Sequence, residues 1–190
     1  MSRTRRIAVV LLVTVGVGLA ALPAFGGADT RGAATLGADG IGKVRFGLSQ
    51  AQAVGELTSL LGAPSARGIN AGCRPRYTEV EWNDLVAEFR LGTFSGYRYV
   101  RGGWPLDTPG GSPLHKLPVP KSRIRNLATA RGISIGSTLA QARSAYGTLR
   151  QTGAEEWQTA GGITLADNAN IGKVPATRIY EIKVGTCGDF

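Results

Sequence analysis

A short pattern occurs twice in this chain, at a constant offset of 89 residues. Gly47 matches Gly136, Ser49 matches Thr138, and Ala51-Gln52-Ala53 matches Ala140-Gln141-Ala142. A brief β-type run precedes each copy, Val44 to Phe46 and Ile133 to Ile135, and a glycine closes each, Gly62 and Gly147. Self-similarity at a fixed spacing implies that one supersecondary unit is used twice, so whatever the first copy folds into, the second should fold into as well.

The chemistry of the pattern names that unit. A hydroxyl residue followed three positions later by glutamine is a capping box: the hydroxyl accepts from a helix N–H while the glutamine reaches back to the cap's own N–H. The pattern predicts helices over Gln50 to Leu61 and Leu139 to Tyr146, with Val54, Leu57 and Leu61 on one face of the first and Leu139, Ala142 and Tyr146 on one face of the second. Two such amphipathic faces need a partner layer.

Period-two alternation supplies one. Thr78, Val80 and Trp82 alternate with Glu79, Glu81 and Asn83, the turn pair Asn83-Asp84 follows, and Leu85, Ala87, Phe89 and Leu91 alternate with Val86, Glu88 and Arg90. A turn over Gly92 to Gly96 and a strand from Tyr97 to Arg101 complete an antiparallel meander with one wet face, on which Glu79 and Glu81 are expected. The second copy repeats the scheme with Glu156 to Thr159, Ile163 to Ala166 and Arg178 to Val184. The expected fold class is therefore α+β, two related helix-plus-antiparallel-meander repeats packed as one small domain. Repeat 1 spans 41–101 and repeat 2 spans 132–190, joined by a Pro/Gly-rich and basic linker over 102–131.

The ends of the chain point out of the cytoplasm. Arg3, Arg5 and Arg6 precede an apolar run from Ile7 to Phe25, and Gly26, Gly27 and Ala28 offer small side chains for cleavage, so 1–28 is expected to be a signal peptide. An uncleaved anchor is the alternative, because the run approaches the roughly 20 residues that span a bilayer. Arg5 and Arg6 resemble a twin-arginine signal without its usual apolar pair, which leaves the export route open. Residues 29–40, rich in Gly, Ala and Thr, read as a flexible leader, with order beginning near Ile41. In an exported chain the only two cysteines, Cys73 and Cys187, are expected to form one disulfide. With His115 as the only histidine, they cannot make a closed zinc site, and neither metal nor cofactor is expected.

The repeated Gly-x-Ser/Thr, capped Ala/Gln-rich helix and terminal glycine, followed by a meander, resembles the tandem repeats of the β-lactamase inhibitory proteins. It is similar also to the single repeat of the small lipoprotein of the outer-membrane protein assembly machinery. The matched residues are Gly47, Ser49, Gln52, Leu61 and Gly62, then Gly136, Thr138, Gln141, Tyr146 and Gly147. The resemblance implies one continuous sheet whose concave face grips another protein. It departs from the inhibitors in its cysteines, since those carry a disulfide within each repeat, and no residue here matches an inhibitory interface.

Catalytic readings are few. Gly132-Ile133-Ser134-Ile135-Gly136 fits G-x-S-x-G ahead of a helix, which would make Ser134 a nucleophile and the chain a small secreted hydrolase. Against it, Ser134 aligns with Arg45, a residue expected in solvent, and His115 precedes the serine rather than following it. Glu79 with Glu81, or Glu155 with Glu156, would be the acid pair of a glycosidase, although neighbours on a strand face opposite sides. The expected activity is therefore non-enzymatic.

Binding readings rest on two groups. Trp82, Tyr97, Arg98, Tyr99, Arg101 and Trp104 cluster along the first meander and are of the types that dominate interface hot spots, although the same aromatics also fill cores. Lys116, Lys121, Arg123, Arg125 and Arg131 form a basic run. Without the three signal arginines the chain keeps 19 basic against 13 acidic residues, a net of +6 that favours anionic cell-wall polymer as well as solubility. No interleaved aromatic-basic signature of nucleic-acid binding is present, and a membrane is expected as a partner only if the signal stays uncleaved. The resulting expectation is a secreted or cell-envelope module, possessing no catalytic residues, that binds another extracytoplasmic protein. An envelope-associated structural protein held by anionic polymer is the third reading.

Overall fold

The computed structural model describes residues 34–100, 127–167 and 177–186, and the backbone of 115–116. Their elements run β1 (Thr35–Gly37), β2 (Gly40–Ile41), β3 (Val44–Arg45), α1 (Gln50–Leu61), β4 (Ala66–Asn70), β5 (Tyr77–Trp82), β6 (Leu85–Arg90), β7 (Thr93–Val100) and β8 (His115–Lys116). They continue as β9 (Ala128–Thr129), α2 (Leu139–Tyr146), β10 (Arg150–Gln151), β11 (Glu156–Gln158), β12 (Thr164–Asp167) and β13 (Ile179–Val184). The fold is mixed α+β, and its sheets are mostly antiparallel. The expected signal peptide over 1–28 lies outside the described residues.

Both helices begin and end where the capping pattern puts them. Ser49 Oγ accepts from the Gln52 amide and Thr138 Oγ1 from the Gln141 amide, while each glutamine Oε1 accepts from its cap's own N–H, at 3.3 Å for Ser49 and 2.7 Å for Thr138. Each helix start thereby has two donors satisfied reciprocally by side chains. Gly62 and Gly147 then end the helices at φ of 93° and 74°, a backbone region that costs glycine nothing.

Each helix start is also stitched to a strand in the same way. The Gly47 amide donates to Phe94 O and the Phe94 amide to Leu48 O; the Gly136 amide donates to Ile179 O and the Ile179 amide to Ser137 O. Gln50 N–H reaches Gly92 O, as Leu139 N–H reaches Thr177 O. Ser49 bridges Thr93, and Thr138 bridges Arg178.

After α1 come β4 to β7, and after α2 come β10 to β13. All eight strands join one nine-stranded sheet in the order β10-β11-β12-β13-β7-β6-β5-β4-β8. At its middle β7 pairs antiparallel with β13, Tyr97 against Val184, Arg98 against Lys183 and Tyr99 against Ile182. A smaller sheet, β3-β2-β1-β9, includes a parallel pairing of β1 with β9, Leu36 opposite Thr129.

The core lies between one face of the large sheet and the layer of helices and small sheet. Leu57 and Leu61 of α1, Ala142 of α2 and Leu36, Ile41 and Val44 of the small sheet pack with Val80, Trp82, Leu85, Ala87, Phe89, Phe94, Leu165 and Ile182. Phe46 meets Phe94 edge-on with ring centroids 4.9 Å apart.

Four expectations need correction. Order begins before Ile41, because Leu36 is fully buried and β1 holds β9 through its backbone. The leader's composition gave no sign of this, since a three-residue strand with one apolar side chain has no periodicity to read. The expected turn at Gly92 to Gly96 is only the two-residue tip Leu91-Gly92, and β7 starts at Thr93. β4 was not expected as a strand. The 102–131 segment contributes two strands, β8 on the edge of the large sheet and β9 in the small one.

Candidate functional site

The face of the large sheet turned away from the helices is the natural candidate, because sequence alternation sends polar side chains there. Register places Glu79 and Glu81 of β5, Val86 and Glu88 of β6, Arg98 and Val100 of β7, Glu181 and Lys183 of β13, Ala166 and Thr164 of β12, and Glu156 and Gln158 of β11 on this one face.

This face is not wet. Glu88 is 1 % exposed and Glu79, Glu81 and Glu181 are buried with it, as are Val86, Val100 and Ala166, which stand apart from the main core. The expectation of Glu79 and Glu81 on a solvated surface is thus corrected. Alternation identifies which side chains share a face, but it cannot say whether that face meets water.

Buried charges need partners. Arg98, at the centre, has Nη2 3.5 Å from Glu88 Oε1 and Nε 3.4 Å from Glu181 Oε1, and its side chain is only 12 % exposed. Lys183, its register partner, donates to Glu156 Oε1 at 2.6 Å, and Asn70 Nδ2 donates to Glu79 Oε1 at 2.9 Å. The two cations that face each other across β7 and β13 are thereby drawn to different carboxylates, Arg98 to β6 and β13, Lys183 to β11. Towards the rim Arg150 donates to Gln158 Oε1.

Two tyrosines report the electrostatics. Tyr97 is buried with its hydroxyl donating to Gly37 O at 3.0 Å, and burial, followed by Tyr146 and Asp39, drives its ionisation well above the ordinary phenol range. Tyr180 is also raised, first by burial and then by the surrounding Glu181, Glu155, Glu156 and Asp167. In the second half Trp157 donates from Nε1 to Asp167 Oδ2 at 2.7 Å, and the Arg143 guanidinium lies 4.8 Å from the Trp157 ring centroid.

The aromatic residues expected at a binding surface sit elsewhere. Trp82 and Tyr97 are fully buried and Tyr99 is 5 % exposed, all three in the main core. Trp82 Nε1 donates to Gly62 O at 2.8 Å, which ties the end of α1 to β5. Only Arg98 of the group faces the charged side; Arg101 and Trp104 lie outside the described residues. Of the basic run, Arg131 alone has a described side chain: it donates to Ala145 O and lies 5.4 Å from the Tyr146 ring centroid, against α2.

Ser134 sits in an isolated bridge to Ala128, and its amide donates to Ser137 Oγ at 3.1 Å. Its backbone is not in the left-handed region, so the strained turn that exposes a nucleophile is missing. Among the described residues no acid or base is bonded to its hydroxyl, and the His115 side chain lies outside them. Cys73 is buried, while Cys187 lies outside the described residues. Among the described residues no cluster of three or more His, Cys, Asp or Glu could hold a metal, and no helix is long and apolar enough to cross a membrane. No family model matches the chain, and neither a curated protein nor a solved structure matches it.

Proposed function

We propose that this chain is an exported, non-catalytic protein-binding module of the cell envelope, built from two related copies of a capped helix and a four-stranded meander. The observation that carries the reading is the paired stitching of the helix starts: three backbone hydrogen bonds and one bridge around Ser49 have counterparts around Thr138. Local similarity of sequence alone would not require the same strand contacts in both halves. The register of β7 with β13 fits a two-fold relation between copies, since Tyr97 opposite Val184 becomes Tyr99 opposite Ile182 under exchange.

Two copies joined at their last strands make a broad, rigid platform, which suits recognition better than chemistry. Its charged side chains are wired to one another, Arg98 to Glu88 and Glu181, Lys183 to Glu156, and so fix shape rather than wait on a substrate. The partner surface is the rim of this face, where Arg150 is exposed and Glu156 is 35 % exposed. In this reading the platform resembles the tandem-repeat inhibitors in architecture, without an assigned target.

A disulfide between Cys73 and Cys187 belongs to the same proposal. β13 ends at Val184 beside the start of β7, and the turn carrying Cys73 is at that same end of the sheet, because Asn70 pairs with Tyr77, Tyr77 with Arg90 and Arg90 with Thr93. Closing a loop of more than a hundred residues would stabilise by about 4–5 kcal/mol on the chain-entropy model.

The test is quantitative cross-linking of the purified chain in an envelope extract, run beside an Arg150→Glu, Gln158→Lys rim variant. One or more proteins linked to the first and lost from the second support the reading. Equal recovery with both chains, or recovery with neither, defeats it.

A further inference from the structure

We propose that the end of the nine-stranded sheet formed by the β4–β5 turn and the β6–β7 tip docks on an anionic lipid bilayer, Leu91 entering the acyl boundary while Arg74 and Arg76 meet lipid phosphates. This goes beyond the protein-binding reading and does not depend on it.

Leu91 carries the argument. It is 81 % exposed and holds φ at 50°, at the first position of a two-residue tip closed by the pairing of Arg90 with Thr93. That position calls for Asn, Asp or Gly, and a bulky apolar side chain there is an outlier. The tip of the preceding hairpin, at the opposite end of the sheet, follows the rule, with Asn83 at φ 53° between Trp82 and Leu85. At Leu91 the chain therefore accepts backbone strain in order to hold an apolar side chain in water, two costs that asparagine would remove. Strained, exposed positions of this kind are where function is to be sought.

The surroundings specify what Leu91 meets. Ile69, 46 % exposed, is the other exposed large apolar residue among the described ones, and it lies on β4 near the same sheet end. Arg76 immediately precedes Tyr77, whose register partner is Arg90, so Arg76 and Leu91 come next to each other along that end. Arg74, Arg76 and Arg90 are exposed, and no described carboxylate pairs with Arg74 or Arg76. A soluble polyanion would use the arginines and leave Leu91 in water. A partner's apolar pocket would use Leu91 without needing cations around it. An anionic interface takes both at once, the apolar tip in the acyl boundary and the guanidinium groups at the headgroups.

The N-terminal apolar run would itself favour vesicles, so the test reads position 91 alone. Full-length Leu91→Trp and wild-type chains are mixed with brominated phosphatidylglycerol vesicles, and the difference in tryptophan emission is recorded; the stretch from Met1 to Thr30 contains no tryptophan. A blue shift and quenching in the difference spectrum are expected, absent with phosphatidylcholine vesicles, with partitioning lowered by about tenfold or more in an Arg74→Glu, Arg76→Glu background. A flat difference spectrum while the chain sediments with the vesicles would overturn the proposal. So would an equal response to phosphatidylcholine, or the same response to soluble polyphosphate, which would make the end a polyanion site.

Discussion

If β7 and β13 really join the two halves into one sheet, glycine at position 96 is a requirement and not a convenience. A Cβ built on Gly96 would stand 2.4 Å from Gly185 O and 2.6 Å from Val184 O, both backbone atoms that cannot swing aside. Restoring an ordinary contact of 3.4 Å to Gly185 O needs a withdrawal of about 1 Å. That displacement falls beside the Tyr97–Val184 pair, so it stretches the last ladder bonds of the join as well as straining the strand. Overpacking together with the loss of about one hydrogen bond puts the cost of Gly96→Ala at about 2–4 kcal/mol.

The same substitution in α1 provides the contrast. Gly55 is exposed, inside the helix, and its Cβ would meet nothing within 4 Å, so Gly55→Ala gains helix propensity of about 1 kcal/mol. For a domain of this size each kcal/mol moves the melting temperature by about 2–4 °C, so Gly96→Ala should melt about 4–16 °C lower and Gly55→Ala about 2–4 °C higher. Thermal unfolding followed by tryptophan fluorescence, with urea titration for the free energies, measures both. A Gly96→Ala chain that melts within about a degree of wild type would refute the close approach, and with it the continuous sheet.

Three further outcomes are expected. Ser49→Ala and Thr138→Ala should each lower unfolding free energy by about 1 kcal/mol in urea titration, and to a similar extent, because each removes the hydroxyl of one capping box. Tyr97 is protonated and buried when folded, with its ionisation raised above the ordinary phenol value of about 10, so its contribution is complete below about pH 10 and is lost as pH climbs beyond it; Tyr97→Phe should flatten that alkaline decline in melting temperature. Leu91→Asn should raise the melting temperature by a few degrees, since it relieves a left-handed leucine at about 1–2 kcal/mol, and an unchanged or lower value would count against strain at the tip.

What the sequence made legible was local. Ser49 with Gln52 and Thr138 with Gln141 announce helix starts within a few residues, and the glycines at 62 and 147 announce their ends, so α1 and α2 fall where the residues put them. Alternation over Tyr77 to Arg90 likewise assigned each side chain to its face. Non-local pairings left no such mark. Thr35 to Gly37 became a strand because β9, more than ninety residues later, offers it a partner. β4 was missed because Arg67, Gly68 and Asn70 have no strand preference of their own; pairing with β5 decides the matter. The hot-spot aromatics failed for a related reason. Trp82, Tyr97 and Tyr99 carry the same residue types whether they face a partner or a helix, and only the side occupied by α1 distinguishes the two.

The burial of Glu79 and Glu81, expected in water, and of Glu88 beside them bears most on function. In a sheet with one solvated face, carboxylates on that face need no explanation; in this sheet they are buried, Glu88 against Arg98, whose side chain is 12 % exposed, and Glu79 against Asn70. Removing water from such a group raises the cost of leaving any member unpaired, so the network acts on stability through its weakest member. Arg98 sits at its centre, within 3.5 Å of Glu88 and 3.4 Å of Glu181, carboxylates from the strands on either side of it. Because Glu181 belongs to β13 and Glu88 to β6, the guanidinium links the two halves by charge at the same place where the backbone links them by register. The join is consequently fixed twice, once by pairing and once by an ion network that tolerates no slip, since a shift of one residue would turn Arg98 into the apolar core.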